Sequence, residues 1–273
     1  MLLVDKKIRD KNRYSDILAY KHSRVHLVPR ASLETNNPLF DGYINANFVD
    51  GPLGIAGDRK IIACQGPLEN TFPDLWRMVS QENVTLIVTT CNVYEAKRPK
   101  CHHFWPLEAE DAQNPQAQFH TEHWQAGMQS VGISVQLSGP TIQLTPNLYL
   151  RKFKLTDNDL GITDREIRQL HYTGWPDHGV PQDSSMLSFS QMFEIFTYML
   201  LASDPSEKAI VHCSAGIGRT GTTISLAHLI TSLWAQKNQG VVDPQLSVFS
   251  TVRRLREQRY HLVQMPGQYE FIH

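Results

Sequence analysis

Residues 211–221 read VHCSAGIGRTG, and the fold assignment turns on how this stretch is understood. Two patterns overlap in it. Gly216, Gly218 and Gly221 spell G-x-G-x-x-G, the dinucleotide-binding pattern, while Cys213 and Arg219 spell C-x5-R. Both readings expect a strand to enter the loop, from the apolar run AIVH at 209–212, and a helix to leave it. The N–H groups and dipole of a helix N-terminus attract an anion, and glycines let the backbone approach oxygen atoms closely. Phosphate binding is common to both readings.

The dinucleotide reading needs a βαβ unit and an acidic residue roughly 20 positions on. Asp243 stands near that distance, but Gly240 before it and Pro244 after it point to a connection between two helices. About thirty residues then remain, too few for the rest of a doubly wound fold. The C-x5-R reading adds chemistry that a cofactor loop does not use. A thiol at the head of a nest of N–H groups ionises readily and becomes a strong nucleophile. An arginine at the far end of the loop offers a planar fork matched to two phosphate oxygens. On the spacing alone, a nucleophilic Cys213 and a merely buried one stay equally open.

Composition narrows the classes. With 273 residues, 41% hydrophobic and 19% charged, the chain reads as an ordinary globular protein with one substantial core. A net charge of -1 favours no polyanion, so no nucleic-acid partner is expected. Cys64, Cys91, Cys101 and Cys213 are scattered without C-x-x-C pairing, as in a reducing compartment. The N-terminus lacks a signal-type apolar core, and MFEIFTYMLLA at 192–202 is too short to span a bilayer. A cytoplasmic or nuclear protein fits, as does the cytosolic part of a longer one.

IIAC (61–64) and VTLIVTT (84–90) read as strands covered on both faces, and YLRKFKL (149–155) as a strand with one wet face. After Gly221, Leu226, Leu229, Ile230, Leu233 and Trp234 recur at helical spacing, with Gly240 placed to end the helix. SMLSFSQMFEIFTYML, capped by Asp183 or Ser184, is apolar nearly all round and predicts a buried helix. A third helix is expected from near Pro244, with Val248, Val252 and Leu255 inward and Arg253, Arg254, Arg256 and Arg259 outward. The Gln-rich stretch 108–130, including HTEH at 120–123, reads as a surface excursion.

HCSAGIGRTG at 212–221 resembles the phosphate-binding loop of the cysteine-dependent protein tyrosine phosphatases, in their tyrosine-specific branch. KNRY (11–14), DGYINANF (41–48), QGPLENTFPDLW (65–76), EAKRPKC with FWP (95–106), HYTGWPDHGVP (171–181) and VQMPGQYEF (263–271) resemble that family's other motifs, in its order. The resemblance covers the chain end to end. It implies an α/β (α+β) fold over 1–273 as one catalytic domain, with a highly twisted mixed sheet flanked by helices. The phosphate loop would lie between a strand and a helix N-terminus.

The resemblance also implies roles. Cys213 is the nucleophile that forms a phosphocysteine, and Arg219 grips the phosphate beside the N–H groups of Ser214, Ala215, Gly216, Ile217 and Gly218. Thr220 donates its hydroxyl to the departing sulfur, and His212 supports the thiolate from behind. Asp177 is the general acid and then base, on a loop that closes with Trp175 near its hinge. Gln264 and Gln268 place the hydrolytic water, Glu95 orients Arg219, and Lys100 reaches the Asp177 loop. Tyr14 stacks on the phosphotyrosine ring in a pocket too deep for phosphoserine, and Asp16 holds the peptide backbone.

No metal or cofactor is implied, and the partners are phosphotyrosine proteins or peptides. Cys64, Cys91 and Cys101 are expected to be structural. His178 departs from the family's frequent aromatic residue, and His261 stands where small residues open a second groove. Two other functions compete: a catalytically weak phosphotyrosine-binding module, and a phosphatase for inositol lipids or phosphoserine. The first needs an essential group to be missing, and the second needs a shallow pocket without Tyr14.

Overall fold

The computed structural model describes residues 6–30, 42–50, 60–108, 115–182 and 184–273. In chain order these form α1 (Lys6–Arg9), β1 (Arg24–His26), β2 (Tyr43–Asp50), β3 (Lys60–Cys64), α2 (Phe72–Gln81) and β4 (Val84–Thr89). A hairpin, β5 (Tyr94–Glu95) and β6 (Arg98–Pro99), leads to α3 (Pro115–Ser130). Then come β7 (Ile133–Leu137), β8 (Ile142–Thr145), β9 (Leu148–Asp157) and β10 (Ile162–Tyr172). The chain continues through α4 (Ser184–Ala202), β11 (Lys208–His212), α5 (Gly218–Asn238), α6 (Val248–Gln258) and α7 (Pro266–Ile272).

One mixed, twisted sheet runs in the order β1-β2-β3-β11-β4-β10-β9-β7, with β8 also on β9. Its centre is parallel, because β11 pairs in parallel with β3 and β4, and β10 with β4. The flanks are antiparallel. The β-branched runs that predicted two-sided burial are buried on both faces: Ile61 and Ile62 on β3, Ile87 and Val88 on β4. Alternate residues of β11 feed two cores. Ile210 joins the core under α2 and α3, with Trp76, Phe104 and Phe153. Ala209 and Val211 join the core under α4 and α5, with Trp175, Phe189 and Phe196. Burial on both sides leaves the strand's exit as its reactive end.

Several expectations need correction. Residues 115–130 of the Gln-rich excursion are a helix, while 109–114 lie outside the described residues, as do Asp41 and Asp183. Trp124, Met128 and Val131 recur at i, i+4 and i+7 and are buried, with Trp124 stacked on Phe72 at 5.3 Å between ring centroids. His123 of HTEH is on this helix, edge-on to Phe72, and not in a loop.

α4 is not buried all round, for Leu187 and Tyr198 are 68% and 69% exposed while Phe189, Met192, Phe193 and Phe196 face the core. α5 buries a threonine- and serine-rich flank instead of its bulkiest residue; Trp234 is 43% exposed. Thr222 and Thr223 satisfy their hydroxyls on the carbonyls of Gly218 and Arg219 four residues back. Gly240, with φ +79, does follow the end of that helix. α6 starts at Val248 behind an Ser247 cap rather than near Pro244. Arg256 is exposed, as expected, though its guanidinium donates to the carbonyls of Leu262 and Val263, whereas Arg259 is not solvated but wholly buried.

Candidate active site

β11 ends level with its neighbours, His212 beside Cys64 of β3 and Thr89 of β4. The next residue, Cys213, therefore leaves the sheet at its parallel centre, where loops form a crevice beyond the strand ends. His212 is buried, which pulls its ring pKa down to about 4 despite its bond to the Cys213 carbonyl, so the ring is neutral. A carbonyl only accepts, so Nδ1–H donates to Cys213 O at 3.2 Å and Nε2 accepts from the Thr89 hydroxyl at 2.8 Å.

The loop's carbonyls are turned outward and held there. Ser214 O accepts from Gly66 N at 2.8 Å, and Ile217 O accepts from Gly221 N and Val263 N, both at 3.0 Å. Among the described residues, the N–H groups of Ser214, Ala215, Gly216 and Ile217 donate to no backbone carbonyl. Gly216 makes the turn possible: φ is +70, and a Cβ there would stand 2.0 Å from Cys64 O. Gly221 lets α5 approach the next segment, since its Cβ would meet Val263 N at 2.3 Å.

Arg219, in the first turn of α5, is 3% exposed. Its two terminal nitrogens take both oxygens of Glu95, at 2.7 and 3.1 Å. They also reach Trp175 O and Asp177 Oδ1, each at 3.1 Å. Burial opposes the charge, but Glu95, assisted by Cys213 and Cys91, outweighs it and raises the guanidinium's pKa. Asp177 completes the arrangement with an ion pair to Lys100. Burial would raise its pKa, yet Lys100, Arg219 and His178 together hold the carboxyl below its ordinary range. The Asp177 loop is thus docked over Arg219, anchored by Trp175, whose indole N–H donates to Gly179 O at 2.8 Å.

Cys213, Arg219, Asp177 and Lys100 line a cleft of about 120 Å³ together with Tyr14, Asp16, Gln264 and Gln268, while Glu95 is not in its lining. The Tyr14 hydroxyl lies 2.9 Å from Ser214 Oγ. Its loop is held by Arg13, whose N–H donates to Gln65 Oε1 at 2.9 Å and whose guanidinium donates to Gly66 O and Pro67 O. Gln268 is buried, accepting from Met265 N at 3.1 Å and donating to Gly179 O at 3.4 Å. Thr220 is the exception among the sequence-derived site residues. Its hydroxyl is buried but makes no hydrogen bond among the described residues, either to sulfur or to backbone. Cys64, Cys91 and Cys101 are all buried and free of disulfides, and burial pushes the Cys64 thiol up to about 12.

The sequence reading missed Arg259. Its Nε donates to Gly216 O at 2.7 Å and its Nη2 to Ala215 O at 3.0 Å. Two further N–H groups meet Asn47 Oδ1 at 2.8 Å and Asn45 Oδ1 at 3.0 Å on β2. α6 stops at Gln258 and Arg259 is extended, with φ -141 and ψ 133, so helical periodicity no longer sets its direction. The two asparagines of DGYINANF, spaced at i and i+2 on one strand face, were the only sequence signal for a buried polar partner.

Comparison with known proteins gives the family and the fold. The family model for protein-tyrosine phosphatase matches residues 8–273. Human tyrosine-protein phosphatase non-receptor type 12 is 33% identical over 264 residues, covering 96% of this chain and 29% of that protein. Tyrosine-protein phosphatase 99A of Drosophila melanogaster is 36% identical over 270 residues, covering 96% of this chain and 18% of its own length. The chain therefore spans less than a third of either relative. Among solved structures, the catalytic domain of human protein tyrosine phosphatase non-receptor type 18 superposes with a TM-score of 0.75 at 31% identity, covering 98% of this chain and 83% of that one. A structure described as PTPN18 in complex with HER2-pY1196 phosphor-peptides matches with the same score and identity over 98% of this chain and 80% of that one. With a matching family model over nearly its whole length, this chain belongs to the protein-tyrosine phosphatase family.

Proposed function

We propose that residues 1–273 are a catalytic domain that hydrolyses phosphotyrosine in proteins through a phosphocysteine on Cys213. The observation that carries the reading is the convergence of Cys213, the open N–H groups, Arg219 and Asp177 in one cleft. The Cys213 thiolate attacks phosphorus while the bond to the tyrosine oxygen breaks, and the proton on Asp177 goes to the leaving phenolate. Arg219 and the loop N–H groups of Ser214 to Gly218 hold the charge that gathers on the equatorial oxygens. Water then attacks the phosphocysteine, its proton returns to Asp177, and phosphate leaves the sulfur. Gln264 and Gln268, at the cleft wall, orient that water. The orphaned hydroxyl of Thr220 becomes a donor to the departing thiolate.

Asp177 is ionised where it sits, whereas the first step needs it protonated. A phosphate dianion resolves this by taking over the Arg219 fork and putting negative charge beside the carboxyl, which raises its pKa. The carboxyl takes up its proton from solvent as the dianion binds. Tyr14 and Asp16 at the cleft mouth supply selectivity, with the ring of Tyr14 as a wall that makes the site deep. The phosphopeptide bound by the related PTPN18 supports peptide substrates here as well. Four free thiols fit a reducing compartment, cytosolic or nuclear, and no helix among the described residues is long and apolar enough to cross a membrane.

The test is hydrolysis of a matched panel of phosphotyrosine peptide, phosphoserine peptide and inositol phosphate, with Cys213→Ser as control. The expected result is turnover of phosphotyrosine alone, abolished by Cys213→Ser and cut severely by Asp177→Ala, which still traps substrate. Turnover surviving Cys213→Ser would refute the mechanism.

A further inference from the structure

Arg259 is a fully buried cation without an acid. No carboxylate lies within salt-bridge distance among the described residues, and its four hydrogen bonds there go to two backbone carbonyls and two asparagine side chains, all neutral. Placing an unpaired charge in a protein interior costs several kcal/mol unless something compensates it. Four neutral acceptors solvate the guanidinium but do not cancel its charge. The ionisable groups that face it are Cys64, Cys213 and Tyr43. Burial keeps Tyr43 protonated, with its pKa raised, and pushes the Cys64 thiol up to about 12, so neither is an anion near neutral pH. Cys213 is the remaining group, and it opens the loop whose Ala215 and Gly216 carbonyls Arg259 binds.

The backbone geometry gives the same residue a second lever. Across a planar trans peptide, the carbonyl and the following N–H point in opposite directions. Arg259 binds the carbonyls of Ala215 and Gly216 from behind the loop, so it fixes the N–H groups of Gly216 and Ile217 facing the other way. Those are two of the donors left open for phosphate. The bonds to Asn45 and Asn47 clamp the fork to β2, which makes the cation rigid relative to the sheet.

We infer that Arg259 is a positioning residue for the phosphatase reaction: a fixed buried positive charge whose counter-ion is the Cys213 thiolate, and which locks two loop amides toward the phosphate. This rests on the reading of Cys213 as the nucleophile. Other groups also act on that thiol. Arg219 bears on it from α5, paired to Glu95 and Asp177, and the neutral thiol of Cys91 stands nearby, while His212 carries no charge. Arg219 leaves for the phosphate during turnover, whereas Arg259 cannot move.

The experiment is alkylation of Cys213 by iodoacetamide across a pH series, followed by peptide mapping to separate it from the other cysteines, in the wild type, Arg259→Met and Arg259→Lys. Loss of the charge in Arg259→Met is expected to slow alkylation about tenfold at mildly acidic pH and to leave the alkaline plateau unchanged. Arg259→Lys keeps the charge but not the fork; its acidic alkylation rate is expected to stay within about twofold of wild type while kcat on phosphotyrosine peptide falls about tenfold. A folded Arg259→Met with the wild-type acidic rate would reduce Arg259 to packing. Should Arg259→Met fail to fold, Arg259→Lys decides: a tenfold slower acidic rate overturns the charge role, and an unchanged rate with lowered kcat upholds it. Alkylation reads the thiol whether or not it turns over substrate, so a failure here is distinct from activity surviving in Cys213→Ser.

Discussion

Two buried histidines behind the phosphate loop should make the domain acid-labile well above the carboxylate range. His171 is held down to about 3, by burial first and then by Arg151, and His212 to about 4 by burial. Their ordinary value of about 6.5 applies in the unfolded chain. A base whose pKa is depressed by folding binds its proton only on unfolding, so stability is full above about pH 7 and falls as pH drops below about 6.5. At about pH 5 each ring costs roughly 2 kcal/mol and the pair roughly 4, against a typical total of about 5–15 kcal/mol. His26 and His228, also lowered, act in the same direction. Asp50, Asp157 and Asp177, with lowered carboxyl pKa values, lose their contribution only below about pH 4 and stay out of this window. Urea unfolding followed by tryptophan fluorescence between about pH 7 and about pH 5 measures the slope. His212→Gln, although less stable at neutral pH, should have a slope shallower by about one proton. A flat profile for the wild type, or an unchanged slope in His212→Gln, would refute the neutral, buried assignment of these rings.

Three substitutions test the packing around the loop. Gly216→Ala puts a Cβ 2.0 Å from Cys64 O at φ +70, so thermal melting should show a loss of more than about 3 kcal/mol or no folded protein. Glu95→Gln removes the bidentate partner of Arg219; kcat/KM for phosphotyrosine peptide should fall at least about tenfold, with about 2–3 kcal/mol lost in chemical unfolding. Trp124→Ala, which deletes a side chain stacked on Phe72 and edge-on to Trp76, should cost about 3–4 kcal/mol while leaving KM unchanged.

Much of the site was legible because its chemistry is local. Cys213, the turn glycine Gly216 and Arg219 sit within seven consecutive residues, so covalent spacing alone delivers them to one loop. The central strands were legible for a related reason, since β-branched runs such as IIAC and VTLIVTT admit few other burial patterns. The helix at 115–130 was hidden because Gln116, Gln118, Gln125 and Gln129 dilute its apolar stripe, and only contact with Phe72 and Trp76 makes Trp124 a core residue. α4 misled in the opposite sense, for its composition does not say which of many apolar residues face the sheet.

The sequence by itself determined the loop that carries Cys213 and Arg219, the strand that feeds it and the helix that leaves it, since each is a short-range property of consecutive residues. Tertiary structure decided how that loop is charged and held, the pairing of Arg219 with Glu95 having been implied beforehand only by the family resemblance. Arg219 meets Glu95 across 124 residues of chain. Arg259 turns inward one residue past the end of α6, where helical periodicity no longer governs it, and reaches Asn47 across 212 residues. Electrostatic partners in a buried site are set by proximity after folding, and no spacing along the chain encodes them.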